Sequence, residues 1–263
     1  MTRRIFTMIR RYLVLHLRSP ARMFDLVFWP TLELLVWGFL SIYLSKNAEG
    51  NLQNILLMLL SAIIFWDVLY RSQQAISLGF MEELWSRNIL NLVISPLRTW
   101  EWVASAYAYA TIKTFFIMIL MLVLATLMYT YDATVFGFYM VPLLINLLLL
   151  GYAMGMFATG LLLRWGHAAE SLIWGVPFLV QPFAAIFYPV SVYPDWLKPI
   201  CLALPVTHVM EAMRELLNHG TFSWANMTLI FGLNLLYLAA CGWFFAAMLA
   251  RGRENGRLVR LTD

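Results

Sequence analysis

Six apolar stretches, at about residues 26–45, 54–79, 102–128, 138–163, 171–189 and 227–250, dominate this chain. Each is close to the roughly 20 residues that carry a helix across a bilayer. The chain is 62% hydrophobic and 12% charged, where soluble domains run near half and about a quarter. The expected fold is therefore all-α and integral to a membrane, with six transmembrane helices. Its 263 residues form one membrane domain and leave no room for a sizeable soluble one. Eleven tryptophans suit anchoring at the membrane interface.

Charge placement orients the spans. Arg3, Arg4, Arg10, Arg11, Arg18 and Arg22 precede the first. Arg87 and Arg98 follow the second, Arg164 the fourth, and Arg251, Arg253, Arg257 and Arg260 the last. Those connections hold 13 basic residues, whereas the alternate ones hold only Lys46, Lys198 and Arg214. The positive-inside rule puts both termini in the cytoplasm. The basic residues flank apolar spans, so nucleic acid is not an expected partner.

The first 24 residues lack the compact apolar core and cleavage site of a signal peptide. They read as an interfacial helix (1–24), with Ile5, Ile9, Tyr12 and Leu13 on one face and arginines meeting headgroups elsewhere. Cys201 and Cys241 imply no disulfide framework. The histidines, His16, His167, His208 and His219, lack metal-site spacing. No metal and no catalytic residues are expected.

Two segments need more than a spanning reading. In "MEELWSRNILNLVISP", Glu82 and Glu83 suit a helix N-terminus through the helix dipole. Leu84, Ile89, Leu92 and Val93 are apolar among polar neighbours, and Pro96 ends the run. A short amphipathic helix over 81–96 follows. It could rest on headgroups or dock on a soluble partner, and the pattern does not separate the two.

The other segment, 187–217, holds Pro189, Pro194, Pro199 and Pro205. Two short helices are expected across 190–220. Asp195 is placed to cap the first, Pro205 sits at N1 of the second, and Gly220 ends it. In the second, Val206, Val209, Met210, Met213, Leu216 and Leu217 line one face. Thr207, His208, Glu211, Arg214, Glu215 and Asn218 line the other, so the helix is expected to dip into the outer interface, apolar side down.

Ionisable groups at membrane depth are costly and face protein or water. Glu33, Asp67, Arg71 and Lys113 are such groups. Asp67, Arg71 and Gln74 share one face of the second span, and Asp67 can pair with Arg71. Glu33 and Lys113 each lack an obvious partner and could pair with each other, a pairing the sequence leaves open. Gly151, Gly155 and Gly160 make a small-residue face for close helix packing.

Arg87, Asn88, Leu92, Ser95 and Pro96 fit a run of the form R-N-x-x-x-L-x-x-(S/A/T)-P. Phe187, Tyr188, Pro194, Trp196, Pro205, His208 and Arg214 fit a second landmark, and "RGRENGR" closes the chain. In this order they resemble the ABC-2 type transporter permeases over nearly the whole sequence. Leu204 departs, standing where that family often has Asn.

The resemblance implies that 81–96 is the coupling helix, its contact residues including Glu82, Glu83, Leu84, Arg87, Asn88, Leu92 and Pro96. It implies that the external helices are re-entrant and gate the exit, through Tyr188, Pro194, Trp196, Pro205, His208, Glu211 and Arg214. A plain lid over the bundle end is the simpler alternative. It further implies a homodimer with two ATPase subunits in a bacterial inner membrane, and a cytoplasmic tail at 251–263. ATP and Mg would sit on the partner, since the chain has no Gly-Lys dipeptide from which to build a phosphate-binding loop. Drugs, lipids, glycolipids, lipo-oligosaccharides or polysaccharide conjugates are the implied cargoes, and the few polar path residues favour an amphiphile. An intramembrane enzyme is the competing class, but its acids and bases would be scattered over different spans. A passive channel would not need the cytoplasmic helix.

Overall fold

The computed structural model describes residues 2–47 and 52–254, and every regular element among them is helical. Chain order is α1 (Thr2–Leu17), α2 (Pro20–Asn47), α3 (Leu52–Trp85), α4 (Ile89–Ile94), α5 (Thr99–Tyr129), α6 (Met140–Trp165), α7 (Glu170–Val180), α8 (Lys198–Ala203), α9 (Pro205–His219) and α10 (Trp224–Glu254). The rest of the expected tail and most of the connection after α2 lie outside the described residues.

Contacts at the two ends establish an up-and-down bundle. At one end Arg4 of α1 meets Pro96 in the α4–α5 connection and Arg11 meets Glu83 in the last turn of α3, the Trp85 indole donates to Glu170 at 2.7 Å, and Arg253 reaches Thr99. This end also carries Arg22, Arg87, Arg98 and Arg164, and is called the basic end below. At the opposite end Ser61 bonds the Tyr131 hydroxyl at 2.9 Å, Trp37 stacks on Phe187, and Tyr139 stacks on Phe222.

Among the described residues, five segments are long and apolar enough to cross a membrane: Pro20–Leu44, Ile55–Trp85, Thr99–Tyr129, Ala133–Phe183 and Trp224–Glu254. The fourth is 51 residues long and contains the fourth expected span and the first 13 residues of the fifth. The chain reverses inside it at Gly166, whose φ of 61° lies in the left-handed region that glycine tolerates. α7 has only 11 residues, about 16 Å at 1.5 Å per residue. That is about half the hydrocarbon thickness. The helix expected over 171–189 is thus cut short at Val180. Pro182 follows, and Ala185 takes a φ of 51°, so the backbone cannot continue as α-helix.

α6 is the packing centre. A Cβ on Gly151 would lie 1.8 Å from Ser72 Oγ and 2.8 Å from the Leu69 carbonyl. One on Gly155 would lie 2.9 Å from Ile76 Cβ. The expected small-residue face therefore seats α6 directly on α3, and Gly160 meets Phe244 of α10. Asn234 of α10 donates to the Asn146 side chain at 2.8 Å and fixes that register.

α1 lies across the basic end. Met8 and Tyr12 are buried, and Ile5, Ile9 and Leu13 lie half-buried beside them. The Tyr12 hydroxyl accepts from the Trp102 indole at 2.8 Å.

Candidate functional site

Three places gather the residues singled out by sequence: the α3–α4 turn, the interior charges, and the segment between α7 and α9. At the first, the helix expected over 81–96 is two pieces. α3 continues to Trp85, so Glu82, Glu83 and Leu84 belong to its last turn. Arg87 then adopts φ 54°, and the six-residue α4 begins at Ile89. The two glutamates sit at a helix C-terminus, where the dipole disfavours them. Arginines offset this. Arg11 grips the Glu83 carboxylate through both of its oxygens, Nη2 to Oε2 at 3.0 Å. Asn88 donates to the same carboxylate at 2.7 Å, and Arg22 pairs with Glu82 at 3.1 Å. Glu83 is 2% exposed. Its hydrogen bonds hold the Arg11 guanidinium above the usual arginine pKa, against the burial that opposes the charge.

Arg4 donates to the Pro96 carbonyl at 2.7 Å and lies 3.6 Å from Glu101. Glu101 in turn accepts the Arg98 backbone N–H at 2.9 Å and caps α5. Arg4, Arg11 and Arg22 thus bind protein rather than headgroups. Leu84 and Ile89 are buried, and Leu92 packs against the core. The outer side presents Arg87, Asn91, Pro96 and Arg98 around Ile94, which is 80% exposed.

In the interior, Arg71 Nε donates to Asp67 Oδ1 at 2.8 Å, as expected from their spacing. Glu33 lies 3.8 Å from the same guanidinium, so its ion-pair partner is Arg71 and not Lys113. α2 packs on α3 at this level, which brings Glu33 to Arg71. Lys113 makes no hydrogen bond or ion pair among the described residues. Gln73 and Gln74 both donate to the Ile173 carbonyl, tying α3 to α7. Glu33, Arg71, Gln74 and Lys113 line one cavity of about 560 Å³, with Trp29, Tyr70, Trp174 and Phe178 among its walls.

At the opposite end α8 and α9 follow the expected pattern in part. Pro205 opens α9, and Gly220 ends it at φ 67° with its N–H on the Leu216 carbonyl. Asp195 does not cap α8. It is exposed and accepts from the Lys198 ammonium at 2.6 Å, which holds its carboxyl below the usual value. Pro194 accepts the Leu197 backbone N–H at 2.9 Å, Tyr188 rests its ring on Tyr193, and Trp196 is 73% exposed.

The apolar side of α9 is buried in protein, and on the expected polar side Thr207, Glu211 and Arg214 also turn inward while Glu215 and Asn218 stay exposed. Thr207 donates to the Phe183 carbonyl at 3.1 Å. Arg214, 5% exposed, donates to the carbonyls of Ala185 and Ile186. Glu211 accepts the Val190 N–H at 2.8 Å and pairs with Arg214 at 3.1 Å. Tyr193 donates to the Pro182 carbonyl at 2.7 Å and accepts the Ala185 N–H. His208 meets the Leu202 carbonyl through Nε2 at 2.7 Å. Buried non-helical backbone survives only where protein or water satisfies it. Side chains do so here, one broken group after another. Burial pulls the Arg214 pKa below the usual arginine value, and Glu211 opposes that pull. Thr207 and Tyr193 were not singled out for this role, although a run of prolines signals that freed carbonyls upstream need donors.

A family model described as ABC-2 type transporter matches residues 3–218, from α1 to the end of α9. The chain belongs to the ABC-2 type transporter family. A search of curated proteins finds no match to this ABC-2 chain. Members of the family are membrane subunits of transporters and are generally not catalytic themselves. Several apolar helices and the family together make this a multi-pass membrane protein.

Proposed function

We propose that this ABC-2 chain is the membrane half of an ATP-driven exporter that moves an amphiphilic or lipid-like cargo out of the cytoplasm or inner leaflet. Two copies form the pore, and each binds one ATPase subunit that carries ATP and Mg. Both termini and the basic end face the cytoplasm of a bacterial inner membrane, in keeping with the excess of arginine there.

The observation that carries this reading is the construction of the α3–α4 turn. α4 offers an apolar residue ringed by arginine and asparagine to the outside, while its inner side is locked to two helices. A short surface helix of this kind suits a groove on a soluble partner. Motion of α4 pulls on Glu83, and through Arg11 on α1. α3 is one continuous helix from Glu83 to Asp67 and Arg71 at the cavity. Its Gln73 and Gln74 carry the displacement to α7. Partner movement at the basic end therefore reaches the cavity walls on α3 and α7 without a flexible joint. At the far end the Arg214 clamp holds the α7–α9 segment shut, and its release opens the exit. The aromatic and charged walls of the cavity suit a cargo with one apolar and one polar part.

The test is purification of the tagged chain from native membranes. A companion protein with a Walker A motif, and ATP hydrolysis by the pair in nanodiscs, are expected. Recovery of the chain alone at every detergent strength contradicts the reading.

A further inference from the structure

The cavity between α2, α3, α5 and α7 has hydrogen-bonding groups left over, and they are mostly nitrogens. Arg71 Nη2 is buried without a hydrogen bond among the described residues, and its nearest carboxylate oxygen, Glu33 Oε2, stands 3.8 Å away, too far to accept one. His16 Nε2, also on the cavity wall, is likewise buried and unpartnered. Its Nδ1 faces the Tyr109 hydroxyl at 3.2 Å, and an imidazole that accepts there carries its proton on Nε2. The Lys113 ammonium is on the same wall with no acceptor among the described residues. Against these nitrogens, the described residues of this wall offer one unpartnered buried oxygen, Gln74 Oε1.

The carboxylates on the wall do not answer the need. Glu82 is held by Arg22 at 3.1 Å, and Glu33 shares Arg71 with Asp67. Asp25 is exposed and makes no ion pair among the described residues. A buried donor without an acceptor costs about 1–3 kcal/mol, and more if charged. An oxyanion entering the cavity would relieve several such donors together. The walls next to it, Trp29, Tyr70, Trp174 and Phe178, suit an apolar tail.

We infer that this cavity is a binding site for the anionic oxygen group, phosphate or carboxylate, of an amphiphile, with Lys113 and Arg71 as its ligands and the aromatic wall beside its tail. The inference deepens the transport reading by naming the cargo chemistry and rests on it for the site's purpose, but the binding itself needs no ATPase.

The test uses the full chain in dodecyl maltoside, which carries no phosphate. Dihexanoyl phosphatidic acid, dihexanoylglycerol and inorganic phosphate are titrated, and binding is followed by tryptophan fluorescence, since Trp29 and Trp174 line the site. Phosphatidic acid is expected to bind about tenfold or more tighter than the uncharged glyceride, the scale of a charge-assisted hydrogen bond. Lys113→Gln should lose most of that preference, and Lys113→Arg should keep it. Competition by inorganic phosphate would identify a free anion as a sufficient ligand. Its failure, with phosphatidic acid still bound, would assign the site to a lipid headgroup. Equal affinity for phosphatidic acid and glyceride on the unaltered chain overturns the site, whether or not the variants fold. That outcome leaves the search for a Walker A companion untouched, so the two readings fail separately.

Discussion

The chain breaks its helices on either side of the bundle, and it treats the two breaks differently. At the basic end, α3 stops at Trp85 and α4 starts at Ile89, and the exposed turn between them is braced by ion pairs from α1. At the opposite end, α7 stops at Val180, and the irregular backbone that follows is covered by α9, with side chains bonded straight onto its carbonyls. The difference follows from the surroundings. Beside water, a turn can leave its outer groups to solvent and offer its side chains to a partner. Inside protein, every freed carbonyl must find a donor of its own.

The sharpest way to break this comparison is at Arg214. Arg214→Met leaves the Ala185 and Ile186 carbonyls buried without donors, and should cost about 3 kcal/mol, from the price of unsatisfied buried acceptors. Thermal unfolding in detergent measures it. A loss below about 0.5 kcal/mol, the range of ordinary surface substitutions, would show that water fills the gap and that the end is wet.

A smaller loss is expected at Glu83→Gln. It keeps the shape and removes the charge that Arg11 and Asn88 share. Because Arg11 is partly exposed, about 1–2 kcal/mol is the expected stability loss, the scale of one charge-assisted hydrogen bond. The same variant should lower cargo-stimulated ATP hydrolysis in the assembled complex while leaving basal hydrolysis in place. Unchanged stimulation would mean that force takes another path.

The seat of α1 can be tested by pH. Burial, with Lys113 and Arg22 adding to it, pushes the His16 pKa down from 6.5 to about 4. The unfolded chain therefore binds this proton more tightly than the folded one. The contribution of His16 is neutral above its unfolded pKa, and stability is lost as pH falls from about 6.5 toward 4. The difference in unfolding midpoint between the wild type and His16→Gln, taken at pH 7.5 and at pH 5, isolates it. A difference that does not change with pH would place His16 in water.

How much of this was readable in advance divides along the same line. Local features carried: Pro205 at N1, Gly220 as the cap, the Asp67–Arg71 spacing and the glycine face of α6 all depend on residues within a few turns. Glu82 and Glu83 were misplaced because the dipole rule is local, whereas the arginine that keeps Glu83 at a helix C-terminus lies 72 residues away. Glu33 paired with Arg71 rather than Lys113 because two spans pack at a level that hydropathy does not report. Arg214 was placed on the polar face of α9, and its burial was missed because its Ala185 and Ile186 acceptors are backbone groups, which no side-chain pattern reveals.

Ile94 is expected to show the smallest stability effect. Ile94→Asp changes an exposed side chain and should shift stability by no more than about 0.5 kcal/mol. Retention of an ATPase companion during purification should nevertheless fall sharply. Normal retention would move the docking surface elsewhere.

Photo-crosslinking tests the central claim most directly. A photoreactive residue is placed at position 94 on the basic end, or at position 196 on the opposite end, both exposed. The account predicts that position 94 captures a protein with a Walker A motif in native membranes and that position 196 does not. Capture of that protein at 196, or at neither position, would contradict it.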